Sequence, residues 1–138
     1  EQLRKKFQSL PPEDIAFPRG VSDMEKYMDK GSLYKSGTPI HVRAAILYNE
    51  ALKDHNLTNK YEAIQSGNKM KFLYMKKPNP IFENVFGFET IFPRETDLEK
   101  YIDYDLQFEK AFVDPIQAIM TAIGWNVEAK GTLEDLFG

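Results

Sequence analysis

A basic helix start is the part of the sequence that best fits a binding chemistry. The Thr38 hydroxyl is predicted to cap a helix and Pro39 fits its first position. The apolar residues that follow predict a buried helix from about residue 39 to about residue 54. His41 and Arg43 fall in its first turn, at the end of the helix dipole that favours anions. Free N–H groups, the dipole and basic side chains together describe a phosphate-binding site. The alternative is a capped helix whose long side chains point into water.

Two carboxylates, Asp103 and Asp105, have the chemistry of ligands for a divalent cation. They lie in a helical apolar pattern, where positions two apart point to different sides of the helix and cannot converge on one metal. The chain has no cysteine and two separated histidines, so a zinc site is not expected. We also find no Gly-rich phosphate loop and no Ser/His/Asp grouping. The sequence therefore predicts binding without catalytic or metal-ligating residues.

Motifs near both ends of the chain carry a family resemblance. The N-terminal motifs are IAFPRGVS at residues 15–22 and GTPIHVRAAILYN at residues 37–49. The C-terminal motifs are YIDY at 101–104, LQFEKAFVDP at 106–115 and LEDLFG at 133–138. Their order and spacing resemble the thumb and C-terminal end of family B DNA polymerases of T-even-like bacteriophages. Members often carry a lysine where Gly37 stands, and the nearest lysine here is Lys35.

The resemblance implies a thumb that grips primer–template duplex through the phosphate backbone. The DNA-binding candidates carried over by position are Arg19, Gly20, Ser22, Lys35, Gly37, Thr38, His41 and Arg43, with Lys26 and Lys30 in second rank. Nucleotidyl transfer is then expected from aspartates and Mg²⁺ in a palm domain outside this chain, so the isolated chain is not expected to be an enzyme. The implied partners are the DNA duplex and the palm and exonuclease part of the polymerase. The implied location is the cytoplasm of the infected bacterial host.

The C-terminal peptide presents large apolar residues on a segment too short to bury them alone. Polymerases of this group end in a similar peptide that fits a pocket on the sliding clamp, which implies that Leu133, Leu136 and Phe137 bind the clamp. Docking of the peptide onto the domain's own surface is the alternative. The rival function is a non-enzymatic protein-interaction adaptor whose functional surface is this peptide. The third hypothesis is an unrelated small enzyme.

Composition predicts a folded domain with an uneven charge. Apolar residues make up 42% of the chain and aromatic residues 13%, which excludes a disordered tail, and no apolar run is long enough to cross a membrane. The net charge is −3, but residues 1–77 hold 14 Lys and Arg against 9 Asp and Glu, or +5, whereas residues 78–138 hold 4 against 12, or −8. A duplex-binding face backed by an acidic face gives such a split, as does a charge match between the two halves.

The remaining patterns predict an α+β fold, mainly helical with a small antiparallel sheet. We expect the end of a helix at residues 1–8, an extended segment at 14–22 with a turn or bulge at Arg19-Gly20, and a short helix at 24–30. A lysine-rich hairpin is predicted from strands 61–64 and 69–76, with a further strand at 87–92. The helical pattern of residues 98–123 should divide near Pro115. The expected domains are a thumb at 1–125 and a clamp-binding tail at 126–138.

Overall fold

The computed structural model describes residues 2–29 and 31–124, which divide into two compact units. One unit contains the described residues up to Pro11 and those from Asp103 onward, and the other runs from Pro12 to Ile102. Lys30 and the predicted tail with Leu133, Leu136 and Phe137 lie outside the described residues.

The described chain forms six α-helices and three β-strands, which confirms the α+β fold class. The helices are α1 (Gln2–Gln8), α2 (Pro12–Ile15), α3 (Met24–Tyr27), α4 (Ile40–Asp54), α5 (Tyr104–Phe108) and α6 (Asp114–Ala122). The strands are β1 (Phe17–Gly20), β2 (Lys69–Tyr74) and β3 (Val85–Phe88). They form one antiparallel sheet in the order β1-β2-β3, so β2 is the central strand. Among the described helices, none is long and apolar enough to span a bilayer.

Helix α4 is the core element of the larger unit, as its apolar residues predict. Its body from Ala44 to Tyr48 is buried, and Leu52 is fully buried. The helix lies very close to β3, because a Cβ built on Gly87 would be 3.1 Å from the carbonyl oxygen of Ala44. A glycine at position 87 therefore sets the approach of helix to sheet. The ring of Tyr48 packs against Phe86 of β3 at a centroid distance of 6.1 Å.

The predicted hairpin between residues 61–64 and 69–76 is wrong. Residues 61–64 form no strand, and β2 pairs with β1 on one side and with β3 on the other. The predicted turn itself exists, since Gly67 has φ +95° and the Asn68 N–H donates to the Gln65 carbonyl at 3.0 Å. Because β2 is central, its lysines do not protect a free edge. Phe72 and Tyr74 do share a face, with ring centroids 5.8 Å apart.

The predicted turn or bulge at Arg19-Gly20 is also wrong. Both residues belong to β1 and pair in regular register, Arg19 with Met70 and Gly20 with Lys69. The short helix predicted at 24–30 is present as the single turn α3. The strand predicted at 87–92 is confirmed only in part: β3 begins at Val85 and ends at Phe88, and residues 89–92 form no strand.

The smaller unit joins α1 to the C-terminal helices through aromatic packing. Phe7 is buried and contacts the rings of Phe108 and Phe112, with centroids 5.4 and 5.8 Å away. A π-helical turn at Glu109–Val113 joins α5 to α6, and Pro115 stands in the first turn of α6. The backbone stays helical through Val113 and Asp114, so the division predicted near Pro115 is a change from π-helical to α-helical hydrogen bonding and not a break. Gly124, with φ +83°, follows the end of α6 as predicted.

The start of that helical region differs from the prediction. Residues 99–101 form a 3₁₀ turn of the larger unit, and Ile102 is extended with ψ 129°. Helix α5 begins only after Asp103, whose carboxylate accepts a hydrogen bond from the Leu106 N–H at 3.0 Å. The capping aspartate therefore interrupts an apolar pattern that is continuous in sequence.

Candidate functional site

A shallow depression at the end of β1 gathers exposed basic residues. It is lined by Pro18, Arg19, Gly20 and Lys69, all of which are exposed. Gly20 and Lys69 are directly paired across β1 and β2, and Arg19 is the next residue of β1. A Cβ built on Gly20 would have no atom within 4 Å, so the backbone here is open to an approaching ligand. We call Arg19, Gly20, His41 and Lys69 the basic surface.

Arg19 is held by aromatic rings rather than by a carboxylate. Its guanidinium lies 5.4 Å from the ring centroid of Phe72 and 5.9 Å from that of Phe17. One of its Nη atoms donates to the Pro18 carbonyl at 2.6 Å. Within residues 2–29 and 31–124, Arg19 has no acidic partner. The aromatic contacts therefore fix the position of the guanidinium, and its charge remains available to an outside anion.

His41 joins the basic surface from the first turn of α4. The side chain is half-buried, and burial lowers its pKa below the ordinary value of 6.5. The positive charge of Arg19 is the second cause of the lowered pKa, so the two side chains are within electrostatic reach of each other. The structure therefore brings together two of the predicted site residues from distant parts of the sequence.

The start of α4 differs in detail from the prediction that Thr38 caps it. The Thr38 hydroxyl donates to the carbonyl of Lys35 at 2.6 Å, and Pro39 occupies the capping position without a side-chain hydrogen bond. Gly37 has φ +84°, a conformation that glycine adopts without strain. The helix is therefore left without a side-chain cap, and its first N–H groups can serve an outside acceptor.

Arg43 contacts Glu83 and Tyr34. Its guanidinium is 4.0 Å from the carboxylate of Glu83, and it lies 5.9 Å from the ring centroid of Tyr34. The Tyr34 hydroxyl donates to the same carboxylate, and burial, followed by that carboxylate, raises the pKa of Tyr34. The side chains of Arg43 and Glu83 are each 24% exposed. Two positions apart on one helix, His41 and Arg43 thus face different surroundings.

The other predicted residues are exposed but not gathered with the basic surface. Ser22 follows β1 and Lys35 precedes α4 by several residues, and both are exposed. The backbone beside Ser22 is fixed to the Gly67 turn, because the Val21 N–H donates to the Asn68 carbonyl at 3.0 Å and the Gly67 N–H donates to the Val21 carbonyl at 2.7 Å. The Lys35 carbonyl accepts hydrogen bonds from the Thr38 N–H at 3.3 Å and from the Thr38 hydroxyl at 2.6 Å.

Lys69 is a member of the basic surface that sequence reasoning did not select. It was grouped with the lysines of the predicted hairpin. Its placement beside Gly20 depends on the pairing of β1 with β2, which joins segments about fifty residues apart in sequence. No local pattern indicates that pairing.

The carboxylates of Asp103 and Asp105 have structural partners. Asp103 caps α5, and Asp105 accepts a hydrogen bond from the Gln8 side chain at 2.7 Å and lies 3.5 Å from the Arg4 guanidinium. Across residues 2–29 and 31–124, no group of three or more histidine, cysteine or acidic side chains is arranged to hold a metal ion.

The curated proteins that the chain resembles are DNA-directed DNA polymerases of bacteriophages. The polymerase of Enterobacteria phage T4 is 29% identical over 143 aligned residues, which cover 100% of this chain and 15% of the polymerase. The polymerase of Escherichia phage RB69 is 27% identical over 137 aligned residues, covering 95% of this chain and 14% of that protein. No protein-family model matches the chain.

These T-even-type polymerases are homologues of the chain along its whole length, which confirms the resemblance inferred from its motifs. The chain spans about 15% of the length of the relatives it matches. The chain is therefore similar to one segment of such a polymerase.

Proposed function

We propose that the chain is the thumb and C-terminal segment of a phage family B DNA polymerase and that it grips primer–template duplex behind a catalytic palm. The observation that carries the proposal is the similarity to two phage DNA polymerases along the whole chain. As part of such an enzyme, the chain would supply duplex binding while the palm supplies nucleotidyl transfer with Mg²⁺.

The basic surface has the chemistry needed for the phosphate backbone. Arg19 and Lys69 are exposed cations, and Gly20 lets a phosphate approach the strand closely. The uncapped start of α4 adds free N–H groups and the positive end of a helix dipole. Contacts of this kind hold a duplex in register without reading its bases. Arg43 is the weaker candidate because Glu83 already offsets its charge.

Fluorescence anisotropy with a labelled primer–template tests the duplex grip. If two to four phosphates are neutralised, the logarithm of the binding constant should fall with a slope of about −2 to −4 against the logarithm of salt concentration. The Arg19→Ala/Lys69→Ala variant should weaken binding for all sequences and reduce the slope by about 2. A matched control is Lys53→Ala/Lys76→Ala, which removes the same charge at exposed positions away from the basic surface.

Equal losses in the two double variants would mean that net charge alone attracts the DNA and would contradict the assigned surface. Absence of binding at low salt would favour the adaptor reading, in which the C-terminal peptide is the functional part. We include tethering to the sliding clamp through Leu133, Leu136 and Phe137 in the proposal. Its support is the resemblance of that peptide to the ends of related polymerases.

A further inference from the structure

A cavity of about 600 Å³ lies in the larger unit, on residues that the proposed function does not use. Four segments form it: the second half of α4, the loop at Pro80 and Ile81, the turn from Thr96 to Leu98, and the segment that contains Leu33. Its volume is within the range of sites that accept a small ligand or a bulky side chain.

The base of the cavity is apolar and well packed. Leu47 and Ala51 of α4 and Leu98 of the turn line it, and each is at most 3% exposed. At its mouth, Leu33 also lines the cavity and is 40% exposed. An apolar group that enters would be removed from water on several sides, which is favourable in proportion to the apolar area covered.

Hydrogen bonds hold the walls of the cavity in place. The buried Asn79 donates to the carbonyls of Lys76 and Glu83 at 2.6 and 2.8 Å and accepts from the Ile81 N–H at 3.1 Å. On the opposite wall, the buried Thr96 hydroxyl donates to the Pro93 carbonyl at 2.7 Å. The cavity is therefore formed before any ligand arrives, which lowers the cost of binding.

The rim of the cavity is acidic. Glu50 and Asp54 lie one turn apart on α4, and Asp97 lines the cavity from the turn. Within the part of the chain that the structure describes, neither Glu50 nor Asp54 has an ion-pair partner, and Asp97 pairs with Lys100 at 2.9 Å. Among the described residues that line the cavity, none is Lys or Arg, and the one further ionisable side chain is His55. The C-terminal end of α4 also favours positive charge.

We propose that this cavity is the docking site of a basic, amphipathic peptide segment of a protein partner, which inserts one large apolar side chain and places Lys or Arg beside Glu50 and Asp54. The apolar base provides affinity, and the acidic rim selects for positive flanking charge. The cavity thus serves protein association rather than DNA, because its carboxylates repel phosphate. The proposal does not depend on the proposed duplex grip.

Three synthetic hexapeptides test the apolar contribution and the electrostatic contribution to binding separately. KRLFKR carries both the apolar pair and the positive charge, EELFEE keeps the apolar pair with reversed charge, and KRSSKR keeps the charge without the apolar pair. Titration into the ¹⁵N-labelled chain, followed by amide chemical shifts, should show saturable binding of KRLFKR with shifts at Ala51 and Leu98. The two control peptides should bind at least about tenfold more weakly.

Variants of the chain locate the site. Glu50→Gln/Asp54→Asn should weaken KRLFKR binding about fivefold, whereas Asp14→Asn/Glu62→Gln, with the same change of net charge at exposed positions elsewhere, should leave it unchanged. Leu33→Lys, a substitution at an exposed position, places a positive charge at the mouth and should also weaken binding. The thermal melt of each variant checks that it remains folded.

Three outcomes would overturn the proposal. Equal binding of KRLFKR and EELFEE would remove the role of the acidic rim. Equal binding of KRLFKR and KRSSKR would mean a general attraction of cations to an acidic protein. Concentration-dependent self-association that shifts the Ala51 and Leu98 amide signals in the absence of peptide would make a second copy of the chain the occupant.

Discussion

The carboxylate of Glu13 accepts two hydrogen bonds from the guanidinium of Arg94, at 2.8 and 3.0 Å. It also accepts one from the Phe92 N–H at 2.9 Å, so a single side chain of α2 fixes the segment that follows β3. These bonds favour the ionised carboxylate and lower the pKa of Glu13 to about 2, with the Arg94 hydrogen bond as the largest cause.

We predict that Glu13→Gln lowers the free energy of unfolding by about 1–2 kcal/mol at pH 7. The amide loses the charge and turns an N–H group towards one of the donors. Arg94 is 45% exposed, which places the effect toward the lower end of that range. Urea unfolding measures the difference. Glu62→Gln, at an exposed carboxylate, is the control and should change stability by less than about 0.5 kcal/mol.

The contact of Glu13 with Arg94 also predicts how the stability difference between the wild type and Glu13→Gln depends on pH. The pKa of Glu13 is lower in the folded chain than its ordinary value of 4.5, so its stabilisation is complete above about pH 4.5 and is lost as pH falls toward about 2. The wild type and Glu13→Gln should therefore converge in stability over this window. A difference that stays constant from pH 7 to pH 2.5 would show that the carboxylate charge is not what holds Arg94.

A second prediction concerns the close approach of α4 to β3. In Gly87→Ala the added Cβ would lie 2.6 Å from the end of the Met70 side chain and 3.1 Å from the Ala44 carbonyl oxygen. Met70 can move, but the helix backbone cannot move without disturbing the core, so we expect a loss of about 1–3 kcal/mol in thermal or urea unfolding. Gly20→Ala, which meets nothing within 4 Å, should be nearly neutral. Similar losses in both variants would contradict the packing argument.

Local patterns and long-range pairings were not equally predictable from sequence. The body of α4 was predicted because neighbouring residues alone determine the helical periodicity of apolar side chains, which indicates burial. The division at Pro115 and the glycine turn at Gly67 were predicted because proline and glycine act on the backbone at their own positions. The pairing of β2 with its two partner strands was not predicted, because the residues before the Gly67 turn form a loop and not a strand. The turn therefore does not connect two paired strands.

The same distinction applies to the candidate site. Arg19, Gly20 and His41 are predicted from motifs, but the proximity of Arg19 and Gly20 to Lys69 follows from sheet register, which sequence alone does not supply. The contact of Arg43 with Glu83 joins residues forty positions apart and has no local signal. The sequence therefore indicated the candidate residues, whereas the ion pair of Arg43 with Glu83 was found only in the structure.

A third prediction follows from the partners of the two aspartates. Asp103 is used as a helix cap and Asp105 contacts Gln8 and Arg4, so neither is arranged to bind a pair of metal ions. We expect the purified chain to extend no primer with Mg²⁺ or Mn²⁺, in an assay where a complete phage polymerase serves as the positive control. Extension that tracks with the chain through purification would contradict the assignment as a non-catalytic segment.

A fourth prediction tests the proposed clamp tether. Deleting residues 132–138 should abolish binding to the matching phage clamp, and Phe137→Ala should weaken it by about 2 kcal/mol through loss of a pocket anchor. Calorimetric titration measures the affinity, and thermal melts of both proteins should nearly coincide if the peptide is free of the domain. Unchanged clamp binding, or a large drop in melting temperature on deletion, would mean that the peptide belongs to the core.

The last prediction uses His41 as a reporter of phosphate binding. Burial and then Arg19 lower the pKa of His41 below its ordinary value of 6.5, which favours the neutral ring in the free chain. A phosphate beside it would favour the protonated ring and raise its pKa, so duplex binding should take up a proton. The affinity for primer–template should then rise roughly three- to tenfold as pH falls from 8 to 6. His41→Gln should remove most of this dependence. His55 is retained in both proteins, so its titration cancels in the comparison. An equal pH dependence in the two proteins, or an NMR-measured pKa of His41 that does not rise on adding duplex, would show that the phosphate backbone does not contact the start of α4.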